Sequence, residues 1–279
     1  MLKETGDWLY SDVCDEVVSV PHALNPNAFQ PGLGIAKRNI KIGVRAGLYP
    51  SLLGDDERNR LLEKLKKLSA SDEGIDISMD ARLDRKGWSS FLQGCQSTLS
   101  TEAGSWFLDK EDLLIRRIES DFGVKRGVST RSVFYRVGQR LPWRLKGIAK
   151  KILGANQVSV KRTNSEEEDP LSLAALQRDY FTEDARCPHY SKCVSSRHFD
   201  AIGTKTIQVL MEGRYNDILS PGKHYLPISR SLKELDEVVE QLSDATQFQE
   251  MVDEAYEYAM DAHRHDHRVD YLLASLGLS

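Results

Sequence analysis

Long apolar runs are missing from this chain. No stretch approaches the roughly 20 residues a membrane helix needs, which excludes a polytopic membrane class. The opening residues, MLKETGDWLYSDVCDE, hold no apolar core, so no secretory signal is expected. Cysteine is scarce: Cys14, Cys95, Cys187 and Cys193 are too scattered for a disulfide framework, which points to a reducing, cytoplasmic setting. Neither GxxxxGKS/T nor GxGxxG occurs, which disfavours a P-loop nucleotidase or a nicotinamide enzyme. There is no internal repeat and no low-complexity tract longer than four acids.

One absence is local. Residues 122–165 contain no acid, while Lys125, Arg126, Arg131, Arg136, Arg140, Arg144, Lys146, Lys150, Lys151, Lys161 and Arg162 all fall there. The run Glu166, Glu167, Glu168, Asp169 follows directly. The net charge of −4 hides this asymmetry, which marks a segment with its own partner.

What is present is an ordinary globular composition: 279 residues, 40% hydrophobic and 29% charged, enough for one large or two modest domains. Residues 17–20 read as a short buried strand. Next comes PHALNPNAFQPGLG, in which Pro21, Pro26 and Pro31 favour an extended connector. Residues 40–44 form the next strand candidate. Asp55 can cap a helix to Leu68, with Leu61, Leu62, Leu65 and Leu68 on one face. A strand at 75–77, a helix at 88–95 and a strand at 97–100 complete an alternation that predicts a parallel α/β sheet with right-handed crossovers.

Residues 107–194 interrupt that alternation with a helix at 111–120, the basic block, the acidic run and a helix at 171–180. It resumes with a helical turn at 199–202, a strand at 207–211 and helices at 232–242, 247–263 and 269–276. The fold expected is α/β, a Rossmann-like parallel sheet flanked by helices. Residues 1–39 serve as a connector and the remnant of a preceding domain, and 40–279 as the domain itself. Within it, 107–194 is a large, mostly helical insertion.

Three stretches carry chemistry. In Ile42-Gly43-Val44-Arg45-Ala46-Gly47 a strand runs into glycines that let the backbone approach a ligand, and Arg45 can clamp a phosphate. Glycines after a strand are also common turn residues. Moreover Asp55, Asp56 and Glu57 open the next helix and would repel a diphosphate there. In Ser100-Thr101-Glu102-Ala103-Gly104, Glu102 stands at the carboxyl end of a strand, where parallel sheets place their ligands; a capping acid is the plainer alternative. In Ser195-Ser196-Arg197-His198-Phe199-Asp200, a capped helix start beside Arg197 makes an anion pocket, and Asp200 can accept from vicinal hydroxyls. A capped surface helix with an ordinary acid fits those residues too.

The run SSRHFDAIGTKTIQVLMEGRYNDILSPGKHYLPI resembles the C-terminal domain of GT-B glycosyltransferases, most closely the group that includes spore-maturation CgeB-like proteins. Tyr215, Ile218, Leu219, Pro221, His224, Tyr225 and Pro227 match its Tyr-x-x-Ile/Val-Leu-x-Pro-x-x-His-Tyr-x-Pro segment. DEVVSVPHALNPNAFQP looks like the connector entering that domain, and the similarity spans most of residues 15–275 outside the insertion.

The resemblance implies that Asp200 replaces the glutamate that binds the ribose of a nucleotide sugar, and that Glu102 is the acid approaching the donor sugar. Gly43, Arg45, Gly47, Ser195, Ser196 and Arg197 would then hold the diphosphate. It further implies transfer of a sugar from a nucleotide-diphosphate donor to a glycan, lipid-linked or surface-polysaccharide acceptor, with no metal and no cofactor beyond the donor. The insertion separates the two acids far more widely than the eight positions usual in the retaining enzymes. The residues ahead of the domain are too few for a second α/β domain, which the acceptor side of a GT-B enzyme requires.

The remaining candidates are weaker. His263 and His267 share a helix face at i, i+4, a pair that can bind a metal, but no third ligand is evident; Cys187, His189 and Cys193 offer ligand types without the spacing of a zinc knuckle. In the basic block, Phe134, Val137, Leu141, Leu145 and Ile148 recur among cations, a pattern suited to an anionic membrane surface or to a helical hairpin packed on the core. Nucleic acid is the least favoured partner, since few aromatics accompany the cations. A cytoplasmic enzyme, peripheral on the inner membrane face under the first of these readings, is the expectation.

Overall fold

The computed structural model describes residues 1–79, 83–122 and 172–278. The chain divides into two compact units, Met1–Leu108 with Arg186–Ser279, and Asp109–Ala185. The basic block beyond Phe122 lies outside the described residues, as do the acidic run and the membrane contact read from them.

The first unit opens with helix α1 (Lys3–Tyr10). It then builds β1 (Ile40–Arg45), α2 (Glu57–Leu68), β2 (Ile75–Ser78), α3 (Arg85–Gly94) and β3 (Cys95–Ser100). A two-residue strand, β4 (Ala103–Gly104), ends this part. The second unit carries α4 (Leu113–Asp121) and α5 (Leu173–Asp179) among its described residues. Back in the first unit, β5 (Lys192–Cys193) pairs antiparallel with β4. Then follow α6 (Ser196–Gly203), β6 (Ile207–Met211), β7 (Leu226–Ile228), α7 (Leu235–Gln241), α8 (Gln249–Ala262) and α9 (His265–Ser275).

The main sheet has the order β2-β1-β3-β6-β7, every pair parallel, as the alternation predicts. This is a Rossmann-like α/β layer structure with helices on both faces. One face buries Ile42, Val44, Ile75, Val209 and Met211 of the sheet against Leu61, Leu62 and Leu65 of α2 and Leu235, Val238 and Val239 of α7. The other packs Leu210 against Leu92 of α3, Phe199 and Ile202 of α6, and Ala255 and Ala259 of α8. Parallel strands buried on both faces read as near-continuous apolar runs, which is why β6 is legible from sequence.

Residues 17–20 are not a strand. Their chain is held by α1 instead: Val17 N–H donates to Asp7 Oδ1 at 3.3 Å, and Lys3 Nζ donates to the Val17 carbonyl at 3.1 Å. Side chains satisfy backbone groups that a sheet partner would otherwise take. Further on, Leu24 bridges to the α8–α9 junction, with Leu24 N–H on the His263 carbonyl at 2.8 Å.

Gly43 has no ligand-facing role here. A Cβ at that position would lie 2.1 Å from Cys95 Sγ and 2.8 Å from Phe91 Cζ, so the glycine lets α3 close onto the sheet. Gly47 is exposed, and a Cβ there would meet only the Met79 carbonyl, at 3.8 Å.

Candidate functional site

At the carboxyl rim of the sheet lies a hollow of about 1020 Å³, walled by the chain after β1, by the starts of α3 and α6, and by residues from the connector. Arg45, Gly47, Ser196, Arg197 and Asp200, all expected from sequence to meet one ligand, line it together. Gly43 and Glu102 do not, and Ser195 stands behind the rim as the residue capping α6.

The α6 start is built by a reciprocal contact. Ser195 N–H donates to Nδ1 of the fully buried His198 at 3.0 Å, so the imidazole does what a glutamate does in a capping box. Burial first, with the charges of Arg58 and Arg197 adding to it, pushes His198 down to about 3, which keeps Nδ1 an acceptor. Helix α6 therefore presents the positive end of its dipole to the hollow, with Ser196 and Arg197 beside it.

Arg45 is placed differently from the expectation. Its guanidinium turns back to β2, donating to Asp76 Oδ2 at 2.6 Å and to the Asp76 and Val44 carbonyls at 3.1 Å, and lies 4.0 Å from the Phe91 ring centroid. It shapes the wall more than it offers a free fork. Among the described lining residues, cations without a carboxylate partner include Arg197, Arg85 and Arg58, the last two not singled out by sequence. Arg197 donates to the Arg45 carbonyl at 3.2 Å, and Arg58 stacks 3.9 Å over Tyr49. Among the described residues neither Arg197 nor Arg58 has a carboxylate within ion-pair distance. Burial and then the nearby Arg197, against the pull of Tyr49, hold Arg58 below the usual guanidinium range.

The acids around Arg58 explain how it stays free. Asp55 and Glu57, expected to repel a diphosphate, face the interior, where Lys192 binds both, at 2.5 Å from Asp55 Oδ2 and in a tighter contact with Glu57 Oε2. Glu57 Oε1 also takes the Trp106 indole N–H and Arg230 Nε, each at 3.1 Å. Asp56 pairs with Arg60 at 3.0 Å. The acidic start of α2 is thus neutralised from behind, and the expected repulsion does not arise.

Asp200 stands one turn into α6. Trp88 Nε1 donates to its Oδ2 at 3.0 Å, and Arg197 lies 5.9 Å from the same indole. Burial pushes the Asp200 carboxyl up to about 6, with the Trp88 bond and the Arg197 and Arg85 charges pulling the other way. No local sequence signal links Trp88 to a partner 112 positions away.

Glu102 is only 4% exposed, and both its oxygens are engaged inside the protein. Oε1 accepts from Tyr215 N–H at 2.7 Å, and Oε2 accepts from the Tyr190 hydroxyl. The Tyr190 oxygen in turn accepts from Arg214 N–H at 3.0 Å. These bonds pin a turn in which Tyr215, Asn216 and Asp217 all have positive φ, at 47°, 58° and 58°. Three successive non-glycine residues in that region persist only where the surroundings over-determine them. The expectation that Glu102 approaches a donor sugar is therefore corrected: its carboxylate is a clamp for the loop after β6.

His263 and His267 face arginines: His263 Nδ1 lies 2.8 Å from Arg268 and His267 Nε2 lies 3.3 Å from Arg264. Among the described residues no group of three or more His, Cys, Asp or Glu side chains is arranged to hold a metal ion. No helix of those residues is long and apolar enough to cross a membrane. No protein-family model matches this chain, and no curated protein does either.

Proposed function

We propose that this chain is the donor-binding domain of a GT-B glycosyltransferase, with a nucleotide-diphosphate sugar in the rim hollow and a glycan or lipid-linked acceptor. The observation that carries the reading is the meeting of two uncompensated guanidiniums, Arg58 and Arg197, with the Asp200 carboxylate in one cavity. A nucleoside diphosphate offers the matching groups, an oxyanion pair for the arginines and vicinal ribose hydroxyls for the acid.

In this reading transfer breaks the bond from the sugar's anomeric carbon to the β-phosphate oxygen, and the electron pair stays on the diphosphate. The acceptor hydroxyl forms the new bond and passes its proton to the departing β-phosphate oxygen. Arg58, Arg197 and the free amides of α6 stabilise the charge gathering on the leaving group, where they are already oriented. Asp200, ionised above its raised pKa, fixes the ribose. Glu102 takes no step.

A second reading, nucleotide-sugar binding without turnover, draws on that same placement of Glu102. Among the described residues the carboxylates lining the hollow are Asp84 and Asp200, and Asp84 Oδ1 already accepts from Gly87 N–H at 2.7 Å. A panel of nucleotide sugars scored by thermal shift, followed by a hydrolysis and transfer assay, separates the two. Stabilisation with product formation supports transfer, stabilisation alone supports binding, and no shift with any member removes both.

A further inference from the structure

A narrow recess adjoins the hollow, with five residues lining both cavities: Arg45, Ala46, Arg58, Trp88 and Arg197. Its room is about 20 Å³, enough for one water-sized group. Val44 and Arg45 of β1 and Thr98 and Ser100 of β3 contribute to it. In the order β2-β1-β3-β6-β7 these two strands flank the point where the connections change direction, which is where open α/β sheets take their ligands.

Gln208 of β6 also lines the recess, opposite Thr98 in register and 2% exposed. The Gln208 Nε2 group has no hydrogen-bond partner. The hydroxyl side chains that line it are engaged: Thr98 Oγ1 donates to the Gly43 carbonyl at 2.7 Å, Thr101 Oγ1 to the Glu102 carbonyl at 3.2 Å, and Ser100 Oγ to the Thr101 carbonyl at 3.3 Å. A buried amide donor left unpaired is costly, so its persistence calls for an acceptor that enters from the hollow.

We propose that this recess is an oxyanion subsite that receives one phosphoryl oxygen of the ligand, with Gln208 donating from β6, Arg58 from α2 and Arg197 from α6. Donors arriving from separate directions suit a tetrahedral phosphoryl group better than a planar carboxylate. A water molecule would satisfy Gln208 yet leave both guanidiniums without a counter-charge. The subsite deepens the nucleotide-diphosphate reading by naming where a phosphate is seated, and rests on it only for what the phosphate is attached to.

The test uses the full chain with inorganic pyrophosphate and UDP as probes, followed by calorimetry. Gln208→Met keeps the side-chain length and removes the donor; Gln208→Glu places a carboxylate where the oxyanion would sit. The expected result is that Gln208→Met weakens both probes by about tenfold to a hundredfold and that Gln208→Glu abolishes binding. If either variant fails to fold, the side-chain amide resonance of Gln208 in the unmutated protein decides, and saturation with pyrophosphate should shift it. Full affinity in Gln208→Met, or an unmoved resonance at saturation, overturns the subsite. UDP binding that pyrophosphate cannot displace and that ignores Gln208 would sink the subsite and leave the nucleotide reading standing. Pyrophosphate binding that depends on Gln208, with UDP no tighter, would keep the subsite and remove the nucleotide. Binding of neither probe removes both.

Discussion

Trp88 on α3 and Asp200 on α6 meet through an indole N–H to carboxylate bond of 3.0 Å, fastening two helices at the mouth of the same hollow. This bond decides how the acid titrates. Burial raises the Asp200 carboxyl to about 6, and the indole restrains the rise. A raised carboxyl favours the fold while protonated. That contribution is complete below the ordinary aspartate value of about 3.9 and is lost as pH climbs through 6.

Ligand binding should run the opposite way. Hydroxyl donors need the ionised carboxylate, so affinity for UDP or GDP should fall as pH drops from 7.5 to 5, with its midpoint near the Asp200 value. Asp200→Asn should flatten the profile, and Trp88→Phe should move the midpoint upward. Calorimetry across that range checks both, and an identical slope in Asp200→Asn rules the acid out.

Arg58 and Arg197 are the cations with most to gain from an anion. Arg58→Met or Arg197→Met should reduce nucleotide affinity about tenfold or more, because each removes a charged donor. Without ligand, either change relieves repulsion between two unpaired guanidiniums, so the melting temperature should hold or rise. A fall in melting temperature with unchanged affinity would show the arginines to be structural.

Glu102 should behave as a clamp. Glu102→Ala leaves the Tyr215 N–H and the Tyr190 hydroxyl unpaired inside the protein, and denaturant unfolding should show a loss of about 2–4 kcal/mol. Glu102→Gln retains an acceptor for Tyr215 and should lose less. If Glu102→Gln keeps its stability but loses all transfer activity, the residue acts on substrate after all.

Lys192→Met should be among the most damaging single changes. It strands Asp55 and Glu57 in the interior, at a cost of about 3–5 kcal/mol near neutrality. Burial already holds the Asp55 carboxyl above its ordinary value against the pull of Lys192. Without the ammonium it rises further, so the variant should lose stability as pH increases and recover towards acid. Unfolding curves at pH 5 and 8 make the comparison.

The layer order was legible because α2, α3 and β6 carry strong periodic or continuous apolar patterns. Elements held by distant partners were not: β7 is three residues long, and β4 with β5 pairs two residues to two with the whole of the second unit between them in sequence. The site was legible where one stretch carries it, as Ser196, Arg197 and Asp200 do on one helix. It failed where long-range contacts set a side chain's direction. Gly43 answers to Cys95 and Phe91, Glu102 to Tyr190 and Tyr215, and Arg45 to Asp76. Arg58 was hidden by the acids ahead of it, although its place just after the first strand-to-helix turn is the signal that could have found it.

Lys192 reaches Glu57 from 135 positions downstream. Until that later stretch has folded back, the acids preceding Arg58 remain available to quench it, whatever the state of the earlier strands. In the nucleotide-diphosphate reading, affinity for an anion would therefore depend on the closed chain. A nascent or clipped polypeptide ending before Arg186 would keep Arg58 and its acidic neighbours but not the lysine that sequesters them, so phosphate capture could serve as a reporter of completed folding.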